Sequence, residues 1–261
     1  FTARTIIILS RVVLKGWHAP CAWLLRSTRA NLMPCRPPRV YWAADRRRGR
    51  GDKQVSIAII DYGSGNLRSA EKAFARCAPG RNLYVTGDPD VVARADHIVL
   101  PGVGAFGDCA QGLAAVDGLR AALKARVVDD GRPFLGICVG MQLMCATGTE
   151  RGQHEGLGWF AGSVDALNVA APLKVPHMGW NTLNMRARHS VFDGLDGADF
   201  YFVHGYAARP ENPAEIVAET DYGGPVVASL ARGNMVGTQF HPEKSQAAGL
   251  RLIENFVNWQ P

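Results

Sequence analysis

The sequence predicts an α/β fold, in which an open and mostly parallel sheet is flanked by helices and extended by antiparallel strands near the C-terminus. From Val55 onward, short apolar runs closed by turn residues alternate with stretches of helical pattern. This alternation is typical of parallel strands joined by right-handed helical crossovers. After Gly148 the pattern changes to short β-type runs separated by Gly, Pro and Asn, which favours antiparallel pairing.

The first half of this region supplies the parallel strands and the helices that connect them. The predicted strands, each short enough to be a buried strand, are VSIAII, NLYVT, HIVLPG and RPFLGI. Three helices are predicted, and the first two end at Pro79-Gly80 and at Gly131. These helices are LRSAEKAFARCA, DCAQGLAAVDGLRAALKARVVDD and VGMQLMCAT.

The second half supplies the antiparallel additions and a closing helix. The predicted strands are FYFVHGY, EIVAET, PVVASLA and MVGTQF, and the closing helix is SQAAGLRLIENFVNW. We expect one domain over residues 54–261, preceded by a separate N-terminal extension over residues 1–53.

Charge separates the extension from the domain. The whole chain has a net charge of +6, but residues 1–53 contain 12 Lys and Arg against two Asp, a balance of +10. The rest therefore carries −4, which gives little support to a nucleic-acid partner. The Arg-rich extension has three open interpretations: an organelle transit peptide, a nucleic-acid or membrane-surface arm, or upstream sequence translated through a misplaced start, with the true start near Val55.

Cysteine usage and the lengths of the apolar runs limit the cellular compartments in which the protein could work. No run approaches the roughly 20 apolar residues that span a bilayer, so no membrane-spanning segment is expected, and no membrane partner is expected for the domain. None of the six cysteines forms a CxxC pair, and a helix through Cys138 and Cys145 would hold them about 10 Å apart, too far for a disulfide. We expect free thiols in the cytoplasm, or in an organelle if residues 1–53 are a transit peptide. No metal or organic cofactor is indicated.

The segment FLGICVGMQ places Cys138 between Gly136 and Gly140, where a predicted strand meets a predicted helix. This is the context of a nucleophile elbow, in which small neighbours allow a sharp, strained turn. The N–H groups at the helix start favour a thiolate, and the Val139 amide could donate to an oxyanion. The alternative is that Cys138 is a small buried hydrophobic residue.

A thiolate nucleophile needs a base and an orienting carboxylate. The HPE segment supplies His241 and Glu243, two residues apart on an extended stretch, so that both side chains could face one site. Alone, such a pair is more often a surface ion pair. With Cys138 upstream, a Cys-His-Glu triad is the better interpretation.

The loop LPGVGAFGDC contains closely spaced glycines that expose backbone amides. It lacks the GxxxxGK[ST] pattern of a phosphate-binding loop. Amides at Gly102 and Val103 therefore fit oxyanion donors better than a phosphate cradle.

Together these motifs resemble those of the class I (triad type) glutamine amidotransferases. The resemblance rests on G-x-C-x-G-x-Q at 136–142, PGVG at 101–104 and HPE at 241–243, and extends from Val55 to Trp259. DYGSGN, PHMGWN, YFVHGY and TQFHPEKS are similar to the members that serve histidine biosynthesis.

The resemblance implies that the protein is a glutaminase. Cys138 would attack the glutamine carboxamide, His241 would protonate the departing ammonia, and Glu243 would orient His241. Gln142 and Glu150, together with Gly102, would hold the amino-acid end of the substrate. For Gln142 the alternative is a surface polar residue, and for Glu150 it is a solvated residue at a helix end.

The resemblance also implies a partner. In these members the glutaminase forms a heterodimer with a (β/α)₈-barrel cyclase, which receives ammonia through a channel and makes imidazole glycerol phosphate and aminoimidazole carboxamide ribonucleotide. Lys244, Trp180 and Tyr201 would lie at or near that interface, although core packing is the alternative for the two aromatic residues. Gly205 stands where members commonly have Ser. Two other functions remain open: a glutaminase serving a different synthase, and a catalytically silent binding partner.

Overall fold

The computed structural model describes residues 55–261. The predicted extension over residues 1–53, and with it the boundary of the domain, lies outside the described residues. The strands of the first half are β1 (Ser56–Ile60), β2 (Asn82–Thr86), β3 (His97–Gly102) and β4 (Phe134–Cys138). The short strands that follow are β5 (Cys145–Gly148), β6 (His154–Glu155), β7 (Phe160–Ala166), β8 (His177–Thr182) and β9 (Asn184–Met185).

The remaining strands belong to the C-terminal part of the chain. They are β10 (Asp199–His204), β11 (Tyr206–Pro210), β12 (Ile216–Asp221), β13 (Pro225–Arg232) and β14 (Met235–Thr238). The α-helices are α1 (Leu67–Cys77), α2 (Pro89–Val92), α3 (Phe106–Ala115), α4 (Leu119–Leu123), α5 (Val139–Gln142) and α6 (Gln246–Asn258). A π-helical turn over Lys124–Asp129 continues α4.

An eight-stranded sheet forms the centre of the fold, in the order β2-β1-β3-β4-β14-β13-β12-β9. The first five strands of this order are parallel, and β13, β12 and β9 add to them in antiparallel fashion. The predicted fold class is thereby confirmed. Strands β3 and β4 are buried along their whole length, as expected for parallel strands covered on both faces.

Two smaller sheets flank the central one. Strands β10 and β8 form an antiparallel pair, and β11, β7, β5 and β6 form a four-stranded sheet. Within the part of the chain that the structure describes, no helix is both long and apolar enough to cross a membrane.

Two predicted helices differ from the observed structure. The long helix predicted from Asp108 is interrupted after α3, because Gly118 adopts a left-handed conformation (φ 74°) that starts α4 separately. The helix predicted over residues 139–147 ends after one turn, and β5 follows it. Pairing of β5 with β7 and β6 outweighs the weak local helix preference there. The helical spacing expected between Cys138 and Cys145 is therefore wrong, although the four cysteines of the described region are free.

The junction of β4 and α5 depends on glycine. A Cβ atom on Gly140 would overlap the carbonyl oxygen of Leu100 on the neighbouring strand, and one on Gly136 would lie 2.7 Å from the Gly140 carbonyl oxygen. The turn can therefore approach β3 closely only while both positions lack a side chain.

We expect Gly140→Ala to lower the free energy of unfolding by about 2–3 kcal/mol, since the backbone that it would meet cannot move aside cheaply. Denaturant unfolding of the full chain measures this. Gly205→Ala is the matched control, because its Cβ would meet its nearest neighbour, Val175 Cγ1, at an ordinary 3.5 Å. Equal losses in the two variants would contradict the proposed packing constraint.

Candidate active site

Cys138 lies at the sharp turn between β4 and α5. Its backbone has φ 55° and ψ −111°, a strained conformation for a residue other than glycine. Such strain costs about 1–3 kcal/mol and is concentrated at functional sites. The side chain is buried. Since α5 spans only four residues, the electrostatic contribution at Cys138 comes from its first free N–H groups, including that of Val139, rather than from a long helix dipole.

Sheet order brings the other two predicted triad residues to Cys138. Strand β14 pairs with β4, and the chain leaves β14 through His241 into a 3-10 turn over Pro242–Lys244. His241 Nδ1 lies 2.8 Å from Glu243 Oε1, and both side chains are almost fully buried. The turn places Glu243 behind the imidazole. The expectation that both side chains face the site from one extended stretch is wrong in that respect, because only His241 lines the cavity.

The pKa of His241 is raised to about 9. Burial alone would lower this pKa, but interactions with Cys138 and with Glu243 favour the charged imidazole and outweigh burial. His241 Nε2 is buried without a hydrogen-bond partner. The imidazolium thus places positive charge beside the sulfur while its other nitrogen is fixed by Glu243.

A cavity of about 280 Å³ lies in front of the thiol. Its lining includes six residues that the sequence analysis singled out for the site: Val103, Cys138, Val139, Gln142, Glu150 and His241. Gly102 does not line it, but pairs with Cys138 in the β3–β4 register. The cavity is therefore bounded by the predicted nucleophile, base, oxyanion loop and substrate-binding residues.

Gln142 and Glu150 both have defined partners. Gln142 is buried rather than at the surface, and its Nε2 donates to the Tyr206 carbonyl at 3.0 Å and to Gln239 Oε1 at 3.1 Å. Glu150 Oε2 accepts a hydrogen bond of 2.9 Å from the Phe106 N–H at the start of α3. Glu150 thus presents a half-buried, anchored carboxylate at the cavity.

The oxyanion loop, the PGVG segment at 101–104, is held in place by contacts with neighbouring side chains. The Val103 carbonyl accepts a hydrogen bond from the Cys109 thiol at 3.4 Å, and Gly104 has φ 109°, a conformation that favours glycine. A Cβ on Gly102 would lie 2.8 Å from the Tyr62 hydroxyl oxygen. Sequence reasoning assigned no role to Tyr62 or Cys109.

Sequence reasoning also missed Gln239, whose Nε2 lies 3.8 Å from the Cys138 sulfur. The sequence signal for Gln239 was its position two residues before His241. A glutamine at such a position does not by itself indicate a functional role. His204, Gly205 and Tyr206 of the YFVHGY motif line the cavity, together with Lys244, which the resemblance placed at or near the partner interface. Within residues 55–261 no group of three or more His, Cys, Asp or Glu side chains could hold a metal ion.

Alkylation by iodoacetamide tests the thiol–imidazolium pair. Because a protonated His241 stabilises negative charge on the sulfur, His241→Gln should slow alkylation of Cys138 at neutral pH by about tenfold or more. The difference should shrink above a pH of about 9, where the imidazolium loses its proton. Peptide mass spectrometry measures the rates.

Two controls accompany that measurement. Cys145 should stay unreactive throughout, since burial raises its pKa to about 12, and His189→Gln should leave the rate at Cys138 unchanged. A His241→Gln variant as reactive as the wild type would contradict the assigned pair.

Comparison with known proteins places this site in a family. Residues 58–259 match the family model described as glutamine amidotransferase class-I. Among curated relatives, "Imidazole glycerol phosphate synthase subunit HisH" of Rhodospirillum rubrum is 54% identical over 79% of this chain and 100% of its own length. The protein of the same name from Ruegeria pomeroyi is 57% identical, over 78% of this chain and 99% of its own.

Solved structures agree on the fold. PurLQS from Thermotoga maritima has a TM-score of 0.58 at 19% identity and covers 78% of this chain and 98% of that one. A structure described as a glutamine amidotransferase has a TM-score of 0.59 at 16% identity and covers 77% and 96%. The resemblance stated from the motifs is confirmed: the chain belongs to the class-I glutamine amidotransferase family, among the HisH subunits of imidazole glycerol phosphate synthase.

Proposed function

We propose that the chain is the glutaminase subunit of an imidazole glycerol phosphate synthase, and that it releases ammonia from glutamine for histidine biosynthesis. The observation that carries the proposal is the 2.8 Å contact between His241 Nδ1 and Glu243 Oε1 behind a strained, buried Cys138. A nucleophile, a base beside it and a carboxylate that orients the base are the parts that acyl transfer requires.

In the proposed reaction the Cys138 sulfur bonds to the carboxamide carbon of glutamine. The carbonyl oxygen becomes an oxyanion, which N–H groups of Val139 and of the Gly102–Val103 segment stabilise. His241 gives its proton to the amide nitrogen, and the C–N bond breaks. Ammonia departs, and a glutamyl thioester remains on Cys138. Water then adds to the thioester while His241 accepts its proton. The C–S bond breaks, which releases glutamate and restores the thiol.

The substrate's amino-acid end is assigned to the far side of the cavity. Glu150 commits one oxygen to the Phe106 N–H, and its remaining charge can attract the α-ammonium group of glutamine. Gln142 lines the same cavity beside it, and the backbone near Gly102 can receive the α-carboxylate. Every residue of this site lies within residues 54–261, so we place the activity there.

The partner is proposed to be a cyclase with a (β/α)₈ barrel that receives the ammonia directly, because ammonia released into water would be protonated and lose its nucleophilicity. Apolar side chains are exposed beside the cavity: Val103, Val175, Met178 and Trp180, with Met178 61% and Trp180 49% exposed. Exposed apolar patches of this kind are typical of protein interfaces. Trp180 stands edge-on to Tyr201, which Lys244 approaches at 5.9 Å. We propose that this surface docks the barrel, and that the heterodimer is cytoplasmic, where free thiols persist.

Glutamate release by the full chain tests the function. Without a partner the chain should hydrolyse glutamine poorly, and a histidine-pathway cyclase with its nucleotide ligand should stimulate hydrolysis strongly. Cys138→Ala should abolish release, whereas Cys77→Ala, which changes a half-buried free thiol outside the cavity, should not.

The other outcomes are informative. High activity without any stimulation would retain the glutaminase and discard the pathway. No hydrolysis under any condition would favour the catalytically silent partner and overturn the proposal.

Docking is tested separately by Trp180→Ala. Exposed aromatic side chains at interfaces carry a large share of binding energy, so we expect the affinity for the cyclase to fall about tenfold or more. Isothermal titration measures it. Tyr84→Ala removes an aromatic side chain that is also partly exposed, on edge strand β2, and should bind as the wild type does. An unchanged affinity in Trp180→Ala would move the interface elsewhere.

A further inference from the structure

A continuous line of hydrogen bonds joins strand β8 to the Cys138 sulfur. Its members are the side chains of Asn181, His177, His204, Gln142 and Gln239, together with the backbone carbonyl of Tyr206. The two histidines and the two glutamines are all at least 95% buried. None of these contacts is needed to form the triad itself.

The Tyr206 carbonyl determines which groups donate and which accept hydrogen bonds at the end of the line nearest the nucleophile. A carbonyl oxygen only accepts, so Gln142 must turn Nε2, not Oε1, toward it, at 3.0 Å. The second N–H of that nitrogen points to Gln239 Oε1 at 3.1 Å. Gln239 must then turn its own Nε2 toward the sulfur, at 3.8 Å. A donor thus faces the sulfur because of a carbonyl two side chains away.

The same carbonyl sets the direction through the two histidines. His204 Nδ1 lies 2.9 Å from the Tyr206 oxygen and must donate to it. In a neutral ring this leaves His204 Nε2 as an acceptor, so His177 Nδ1, at 3.1 Å, must be the donor to it. His177 Nε2 is then an acceptor for the Asn181 amide nitrogen at 3.2 Å.

The far end is fixed independently of the near one. Asn181 Oδ1 accepts from the Thr182 N–H at 2.8 Å, and Asn181 Nδ2 donates to the Asp221 carbonyl at 2.9 Å. The Thr182 N–H can only donate and the Asp221 carbonyl can only accept, so together they fix the orientation of the Asn181 amide. This is also the orientation that the contact with His177 requires. Every member therefore donates or accepts without conflict from one end to the other.

Neutral histidines are a condition of this arrangement, and burial provides it. Burial lowers the pKa of His177 to about 4. Burial also lowers the pKa of His204 to about 4, although the hydrogen bond to Tyr206 raises it, while His177 and His241 lower it. Other titratable groups near the sulfur are Tyr62 and Cys109, which interact electrostatically with Cys138, and Glu150 and Lys244, which line the same cavity.

We infer that Gln239 is a positioning residue for the nucleophile, whose amide N–H orients the Cys138 sulfur, and that the Asn181–His177–His204 line positions the Tyr206 carbonyl, which through Gln142 keeps that amide in the donating orientation. The inference rests on the proposed function in that Cys138 is the nucleophile. Because the line begins on β8, the strand that carries the exposed Met178 and Trp180, it also connects the proposed docking surface to the thiol.

The tautomers of the wild-type protein provide the first test. Long-range ¹H–¹⁵N spectra of the full chain with labelled histidine distinguish the Nδ1–H from the Nε2–H form. We expect both His177 and His204 to be Nδ1–H at neutral pH. An Nε2–H form of His204 would overturn the inference, because its Nδ1 could not then donate to Tyr206. This measurement requires no variant to fold.

The second test is the pH profile of iodoacetamide alkylation at Cys138. Gln239→Leu removes the donor and should slow alkylation at neutral pH about threefold. Gln239→Glu keeps the size but, when ionised, turns a negative oxygen toward the sulfur, and should displace the profile to higher pH and slow the neutral rate about tenfold. His204→Leu removes the hydrogen bond from His204 to the Tyr206 carbonyl and should also slow alkylation of Cys138 at neutral pH. Gln260→Glu is the exposed control and should match the wild type.

These outcomes separate this inference from the proposed function. If wild-type Cys138 reacts no faster than Cys77, the nucleophile assignment fails. If wild-type Cys138 is reactive and folded Gln239 variants share its profile, only the role of Gln239 fails. A merely structural role would change stability and leave the pH profile in place.

Discussion

The strained backbone of Cys138 is the constraint on which the rest of the site depends. A residue with a side chain is held at φ 55° only because the strand before it and the turn after it are fixed by packing. Gly136 and Gly140 allow that turn to pass close to β3, where added Cβ atoms would meet backbone atoms. The central sheet thus supplies the rigidity that keeps a cysteine in a conformation which presents its sulfur to the cavity.

The order of the strands in the central sheet brings the other residues of the site to this strained turn. Strand β4 lies between β3 and β14, so Cys138 has the oxyanion loop on one side and the segment from Gln239 to Glu243 on the other. Residues about one hundred positions apart in sequence meet because the carboxyl ends of parallel strands share one edge of the sheet. The buried Glu243 and the raised pKa of His241 then make the imidazolium available beside the sulfur.

Much of this arrangement could be predicted from the sequence, and the exceptions have physical reasons. The parallel strands and the triad residues were recognisable because buried apolar runs and the Cys138 elbow have distinctive local patterns. The end of α5 was not recognisable, since Cys145–Gly148 become a strand only by pairing with neighbouring strands such as β7, a contact that no local pattern encodes. Gln239 and the His177–His204 pair were missed because their roles arise from hydrogen bonds between distant segments, and buried polar residues resemble surface ones in sequence.

Direct detection of the covalent intermediate tests the central claim, that the strained Cys138 is the acyl-accepting nucleophile. The full chain with a histidine-pathway cyclase and its nucleotide ligand would be mixed with glutamine, quenched in acid within the turnover time, and digested for mass spectrometry. The account predicts a glutamyl thioester on the peptide that contains Cys138, depleted as glutamine is exhausted. Steady glutamate release with no modification of Cys138, or with the glutamyl group on another residue, would contradict it.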